Sequence, residues 1–217
     1  MNRIQNGVVA CFAALCLFAA TSAVASDSAD AIKHRVGSGD PVEGKVASAL
    51  CQGCHGEDGN SLEGLIPKLA GQYSQYLSKQ FRNYQTGARE HQIMSAMSAI
   101  ISDAELSDIV AYFASQKQMS GGGKAGNPTG KNLFTRGDMA RGVLPCEGCH
   151  GVNGKGQAPD VSDYPVIGGQ QKDYLRTQIT HWRSGERSNS AGGVMNAITK
   201  SLTDAEVEAL ADYISGL

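Results

Sequence analysis

The chain has 217 residues, 41% hydrophobic and 18% charged, with 19 Lys and Arg set against 21 Asp and Glu for a net charge of −2. That is the composition of an ordinary folded protein, and it excludes fibrous, collagen-like and broadly disordered classes. Without a basic tract the chain is also a poor match for DNA or RNA, because phosphate neutralisation needs clustered Lys and Arg.

Residues 1–25 read as an export signal. Arg3 supplies the positive start, Val8 to Ala20 form an apolar run, and Ala23-Val24-Ala25 offers small residues for cleavage. Thirteen residues fall well short of the roughly 20 that a spanning helix needs, so cleavage near Ala25 is a better reading than an uncleaved anchor. A lipidation site at Cys11 is disfavoured because only mostly polar residues precede Val8-Val9-Ala10-Cys11. The mature chain is then exported and soluble, or at most attached to a membrane surface.

Removing the signal takes Cys11 and Cys16 with it and leaves four cysteines in two copies of one pattern. These are Cys51-Gln52-Gly53-Cys54-His55 and Cys146-Glu147-Gly148-Cys149-His150, each followed by Gly. Two thiols three positions apart can add across the vinyl groups of one haem, and the adjacent His is then held against the iron. A four-thiolate zinc site leaves both His unexplained, while a redox dithiol or a disulfide does not require His at a fixed place. Two covalently bound haem c groups, attached in an oxidising compartment, are the cofactors this pattern predicts.

The motifs sit inside a duplication. Gly39-Asp40 with Gly44 matches Gly137-Asp138 with Gly142 at an offset of 98, and the haem motifs, with Gly59 and Gly154, match at 95. Pro67, Gly71, Gln72, Tyr76, Leu77, Gln80, Gly87 and Arg89 match Pro165, Gly169, Gln170, Tyr174, Leu175, Gln178, Gly185 and Arg187 at 98. The closing segments, 102–112 and 203–213, match at 101. The domains are therefore 26–117 and 131–217, joined by a Gly-rich linker over 118–130.

Each copy reads as all-α. Leu77, Gln80, Phe81 and Tyr84 share one side of a helix over 74–86, and Leu106, Ile109, Val110 and Phe113 share one side of a helix over 103–115. Val207, Leu210, Ala211 and Ile214 repeat the second stripe, and both closing helices open with a capping box, at Ser102 with Glu105 and at Thr203 with Glu206.

Whether the distal iron position is closed separates a carrier from a haem enzyme, and Met is the residue that closes it. Counted back from the closing helices at 101, Met94 falls on Met195 while Met97 falls on Ile198. Met94 and Met195 are therefore the expected sixth ligands opposite His55 and His150, with Met97 the alternative for the first haem. Met119 and Met139 read as incidental, and His34, His91 and His181, unmatched between copies, as surface residues. Arg89 and Arg187 suit the haem propionates, because guanidinium matches carboxylate, or equally a solvated position. Tyr84 and Trp182 share a site and read as core packing, near the haem edge.

With these residues in view, the haem motifs, the segments Pro67-Lys68-Leu69-Ala70-Gly71-Gln72 and Pro165-Val166-Ile167-Gly168-Gly169-Gln170, and the capped closing helices resemble the dihaem cytochrome c4 family across essentially the whole mature chain. The resemblance implies two tandem class I cytochrome c domains packed by pseudo-twofold symmetry, haem edges near the interface, and Pro67 and Pro165 lending carbonyls to the ring N–H of His55 and His150. It further implies a periplasmic single-electron carrier between a membrane quinol-oxidising complex and a terminal oxidase or reductase, with no catalytic residue. The rivals are a dihaem enzyme of the peroxidase or thiosulfate-oxidising type, which needs an open iron, and a cytochrome subunit of a larger dehydrogenase.

Overall fold

The computed structural model describes residues 33, 35–157 and 163–217. The export segment, its cleavage point near Ala25 and His34 lie outside these. Helices α1 (Pro41–Ala47), α2 (Ala49–His55), α3 (Ser74–Thr86), α4 (Gln92–Ser98) and α5 (Asp103–Ser115) build the first half. The second half repeats them as α6 (Pro128–Arg136), α7 (Glu147–His150), α8 (Lys172–Ser184), α9 (Val194–Thr199) and α10 (Asp204–Ser215), with short 3₁₀ turns between. Among the described residues there is no strand, only a single bridge between Asp138 and Val143, so the all-α reading holds.

The closing helices carry the core. Leu106, Ile109, Val110 and Phe113 on α5, and Val207, Leu210, Ala211 and Ile214 on α10, are all buried, each large side chain contributing about 1.5–3 kcal/mol. Both capping boxes form: the Ser102 and Thr203 hydroxyls accept from the Glu105 and Glu206 amides, and each Glu carboxylate accepts the cap residue's own N–H at 2.9 Å.

The first helix of each half crosses the closing helix at a glycine. A Cβ on Gly44 would lie 1.9 Å from the Asp108 carbonyl oxygen, and one on Gly130 would lie 2.0 Å from that of Ala209. These contacts correct the first segment of the repeat. Gly44 corresponds to Gly130, 86 residues on, and the N-cap Asp40 before Pro41 corresponds to Asn127 before Pro128. Asp138 to Gly142 instead forms a 3₁₀ turn followed by a bridge residue, because this longer stretch before the second haem motif has no helix to build. Similar residues in a similar order thus produced a false match at 98. One consequence is that α6 opens at Pro128, within the Gly-rich stretch.

The linker does not hang free. Gly71 and Gly169 have φ of +64° and +86°, and a Cβ on either would strike the Cα of Gln118 or of Ser120 at 2.4 and 2.5 Å. The Met119 amide donates to the Ala70 carbonyl, and the Lys155 ammonium donates to the carbonyls of Met119 and Gly168. Met119, expected to be incidental, is 1% exposed and packs with Tyr73 and Val166 from opposite halves. Nothing in its sequence position marks it, because its burial arises only when the two halves close over the linker. Met139, by contrast, is exposed.

Two glutamines stitch the halves together reciprocally. The Gln72 side chain donates to the Val166 carbonyl at 2.8 Å and accepts from the Val166 amide at 3.0 Å. Gln170 does the same to Lys68, at 2.9 and 2.8 Å. Moving Gln72 forward and Val166 back by the repeat offset of 98 generates the second pair, Gln170 with Lys68, so the halves are related by an approximate twofold. A side-chain amide paired in this way satisfies both backbone groups of an otherwise unpaired buried residue.

Candidate functional site

Each CxxCH segment ends its helix on the histidine, and the next residue is glycine for a steric reason. Gly56 and Gly151 have φ of +86° and +78°, and a Cβ would meet the carbonyl oxygen of Asn60 at 2.7 Å or that of Gly156 at closer than contact distance. The chain then loops so that the Gly59 and Gly154 carbonyls accept from the amides of Leu69 and Ala70, and of Ile167 and Gly168. That anchoring sets the preceding proline beside the ring. His55 Nδ1 lies 2.8 Å from the Pro67 carbonyl oxygen and His150 Nδ1 lies 2.8 Å from that of Pro165. With Nδ1 as donor, the tautomer that leaves Nε2 as a free lone pair is selected. Burial lowers the basicity of both rings, and the proline carbonyls oppose this only partly, so both imidazoles stay neutral.

A cavity of about 780 Å³ brings the sequence-predicted residues of both halves onto one lining. Cys51, Cys54, His55, Pro67 and Met94 line it in the first half, and Cys146, Cys149, His150, Pro165 and Met195 in the second. Met97 lines it too, one helical turn from Met94 on α4. Leu77, Phe81, Ile109, Leu175, Ile179 and Leu210 supply apolar walls. In each half this is two thiols, an imidazole and a thioether around an apolar space, a donor set that fits an iron porphyrin attached through its vinyl groups. The cysteines are free of disulfides. Burial pushes the Cys51 thiol up and the Cys146 thiol up to about 12, which suits an uncharged thioether and not an activated redox dithiol. Among the described residues no three His, Cys, Asp or Glu side chains converge as a metal cluster, so the zinc alternative has no geometry.

The methionine helices are positioned differently in the two halves. In the second, Asn196 Nδ2 donates to the carbonyls of Trp182 at 2.7 Å and Arg187 at 2.8 Å, and Ser190 Oγ accepts from the Met195 amide. In the first, the Met94 amide donates to His91 Nδ1 at 3.3 Å, and Gln85 donates to the Ser98 carbonyl. His91 is exposed, as expected, whereas His181 is partly covered and lies 3.4 Å from Glu186. Asn196 escaped sequence reasoning because it matches Ser95 in the first copy, so the repeat offers no signal for it.

Arg187 is buried and Arg89 half-buried, and both are engaged by protein groups. Arg187 is 7% exposed, and each guanidinium bonds to its own half's glutamine, to the opposite half's glutamine and to the opposite half's tyrosine. Arg187 lies 4.3 Å from the centroid of the buried Trp182 ring, and Arg89 4.9 Å from that of Tyr84. Tyr76, Gln80, Tyr174 and Gln178 were visible as matched positions without a role. Their role is this contact between halves.

The cytochrome c family model matches residues 42–117 and again 128–217. Cytochrome c4 of Pseudomonas aeruginosa is 40% identical over 184 residues, covering 82% of this chain and 89% of that one. A thiosulfate dehydrogenase electron acceptor of Thiomonas intermedia is 34% identical over 176 residues, covering 77% and 78%. The crystal structure of reduced recombinant cytochrome c4 from Pseudomonas stutzeri superposes with a TM-score of 0.77 at 37% identity, covering 83% of this chain and all of that one. With its two tandem haem c domains and matching helical architecture, the chain belongs to the dihaem cytochrome c4 family of electron-transfer proteins and carries two covalently bound haem c groups.

Proposed function

We propose that the protein is a periplasmic one-electron carrier in which His55 with Met94 would hold the iron of the first half and His150 with Met195 that of the second. Cys51 and Cys54, and Cys146 and Cys149, hold the porphyrins covalently, while Pro67 and Pro165 orient the histidines. The single observation that carries the reading is the repeat-related pairing of a proline-tethered histidine with a methionine on one cavity lining in each half. Haem supplies a reversible single-electron couple, and His/Met ligation favours its reduced state. The chain's contribution is to exclude water, fix the imidazole tautomers and keep substrates from the metal, so no acid, base or nucleophile is needed.

Export through the segment ending near Ala25 supports a periplasmic location, and among the described residues no helix is long and apolar enough to cross a membrane. The redox partners are a membrane quinol-oxidising complex as donor and a terminal oxidase or reductase as acceptor. The similarity to a thiosulfate dehydrogenase electron acceptor favours a second donor, a soluble sulfur-oxidising dehydrogenase feeding the same carrier.

Spectropotentiometric titration with haem quantification tests the reading on wild type, Met94→Ala, Met97→Ala and Met195→Ala. Two low-spin haems per wild-type chain are expected, with one iron turning high-spin in Met94→Ala and the other in Met195→Ala. A high-spin iron in Met97→Ala instead overturns the assignment for the first haem, and peroxide turnover by wild type overturns the carrier reading.

A further inference from the structure

The mouths of the two haem spaces meet water differently. Leu50, Leu65 and Ile93 line the cavity from the first half and are still 66%, 67% and 61% exposed, so each shows one side to the haem space and another to solvent. Leu50 adjoins Cys51, Leu65 lies two residues before Pro67 and Ile93 adjoins Met94, so the three frame this mouth from the attachment, histidine and methionine sides. Cys54 beside them is exposed as well. In the second half the matching positions are Pro145 and Val194, both half-buried, and Asp163, which pairs with Lys79 of the first half at 3.3 Å, while Cys149 is half-buried. Exposed aliphatic side chains gathered at one opening are costly to hydrate, and such patches mark contact sites. Charge at the first mouth is one-sided. Glu63, two residues before Leu65, and Glu90, three before Ile93, are exposed and have no ion-pair partner among the described residues. The nearby cations are engaged: Lys45 pairs with Glu57, Lys79 with Asp163, and Lys68 donates to the carbonyls of Ser120 and Gly169. Residues 26–117 carry 8 Lys and Arg against 11 Asp and Glu, whereas residues 118–217 carry 10 against 10.

We propose that the apolar mouth of the first half is the docking face for a redox protein whose own contact face is apolar at its centre and ringed by Lys and Arg, so that exchange with this partner runs through the first haem and reaches the second from there. The proposal rests on the carrier reading above. Leu50, Leu65 and Ile93 supply the dry centre of a transient interface, while Glu63 and Glu90 steer and orient a basic rim. One electron leaves the partner's reduced centre and arrives at the oxidised first haem, whose iron is reduced by one, and no bond forms or breaks. The second mouth offers neither feature, because its one carboxylate at a matching position is already paired with Lys79.

The test uses full-length haem-loaded protein, and the probe is zinc-substituted mammalian cytochrome c, a small protein with an apolar, lysine-rimmed porphyrin edge that donates one electron when excited by light. Amide shifts of the nitrogen-15-labelled protein map the contact, and flash photolysis gives the rate of electron transfer at measured midpoint potentials. Shifts are expected around Leu50, Leu65 and Ile93, with Pro145 and Val194 unmoved. Leu65→Ser and Ile93→Ser should each weaken binding and slow the second-order transfer by about tenfold at unchanged potentials. Joint Glu63→Gln and Glu90→Gln should slow it about threefold at low salt and not at all near about 1 M salt. Val152→Ser, at an exposed aliphatic residue of the second half, should change neither quantity. A map centred on the second half, or unchanged binding in both Leu65→Ser and Ile93→Ser, overturns the proposal. So does a dimer in ultracentrifugation, or binding to phosphatidylethanolamine vesicles, that these two variants abolish. Haem count and spin state of wild type report on the carrier reading separately: a high-spin iron overturns that reading, whereas two low-spin haems with the wrong contact map overturn only the docking face.

Discussion

The two halves fix the histidine side of the haem site identically and the methionine side differently. Each histidine leans on a proline carbonyl at 2.8 Å, from a loop pinned by the same glycine carbonyl. On the opposite wall, α9 is clamped by two charge-free bonds from Asn196, while α4 has an exposed histidine accepting its Met94 amide. Leu50, Leu65 and Ile93 at the first site are more than 60% exposed, and their counterparts are Pro145, Asp163 and Val194. Duplication preserved the part that selects a tautomer, which tolerates little variation. The thioether side, where a flexible side chain can adapt, was free to diverge.

The sharpest way to break the structural equivalence is at the helix crossings. Gly44→Ala and Gly130→Ala should each cost about 3 kcal/mol or more, because the new methyl meets backbone that cannot move away cheaply. Gly142→Ala, with nothing within 4 Å, should cost only about 1 kcal/mol for its φ of +76°. Thermal denaturation of the haem-loaded variants measures all three, and similar losses at Gly44 and Gly142 would restore the offset of 98.

A smaller effect is expected at the methionine walls. Asn196→Ala removes two bonds to backbone carbonyls and should cost about 2 kcal/mol. Following the low-spin spectrum during heating, the second haem should lose its sixth ligand first in this variant. Ser95→Ala, at the matching position, should leave the first haem's transition nearly unmoved. If Asn196→Ala shifts both haems equally, the asymmetry is not local.

The smallest difference lies at the caps. Glu105 serves only its capping box, whereas Glu206 also bonds to Arg141, and that bond with the Thr203 amide and hydroxyl draws its carboxyl down to about 2. Its folded pKa is depressed, so the stabilisation is present above the unfolded value near 4.5 and is lost as pH falls towards 2. Glu206→Gln should therefore destabilise the protein at pH 7 more than Glu105→Gln does, by up to about 1 kcal/mol, and the gap in melting temperature should close in acid. A gap that persists at pH 2 would assign the effect to packing.

Much of the site was legible from residues alone. The CxxCH pairs, the glycines after them, the capping boxes and the stripe on each closing helix depend on local chemistry with fixed spacing, so α3 and α5 appear with the predicted limits. Other features were visible without their meaning. Gln72, Gln80 and Arg89 stood out as repeated, and only the packing of one half on the other turned them into partners. The false match of Gly44 with Gly142 has the same origin: a Gly-Asp pair is common in turns, and only the crossing of α6 on α10 shows that Gly130 does the work of Gly44.

Sequence alone determined the chemistry of attachment, the duplication and the helical class, because thiol spacing, residue periodicity and caps act over a few positions of chain. Tertiary structure decided the burial of Met119 and the linker, the clamp at Asn196 and the pairing of Arg89 with Arg187. The clamp at Asn196 depends on how α8 and α9 pack within one half, whereas the burial of Met119 and the arginine pairing depend on surfaces far apart in the chain, where a burial cost exists only after the two halves close.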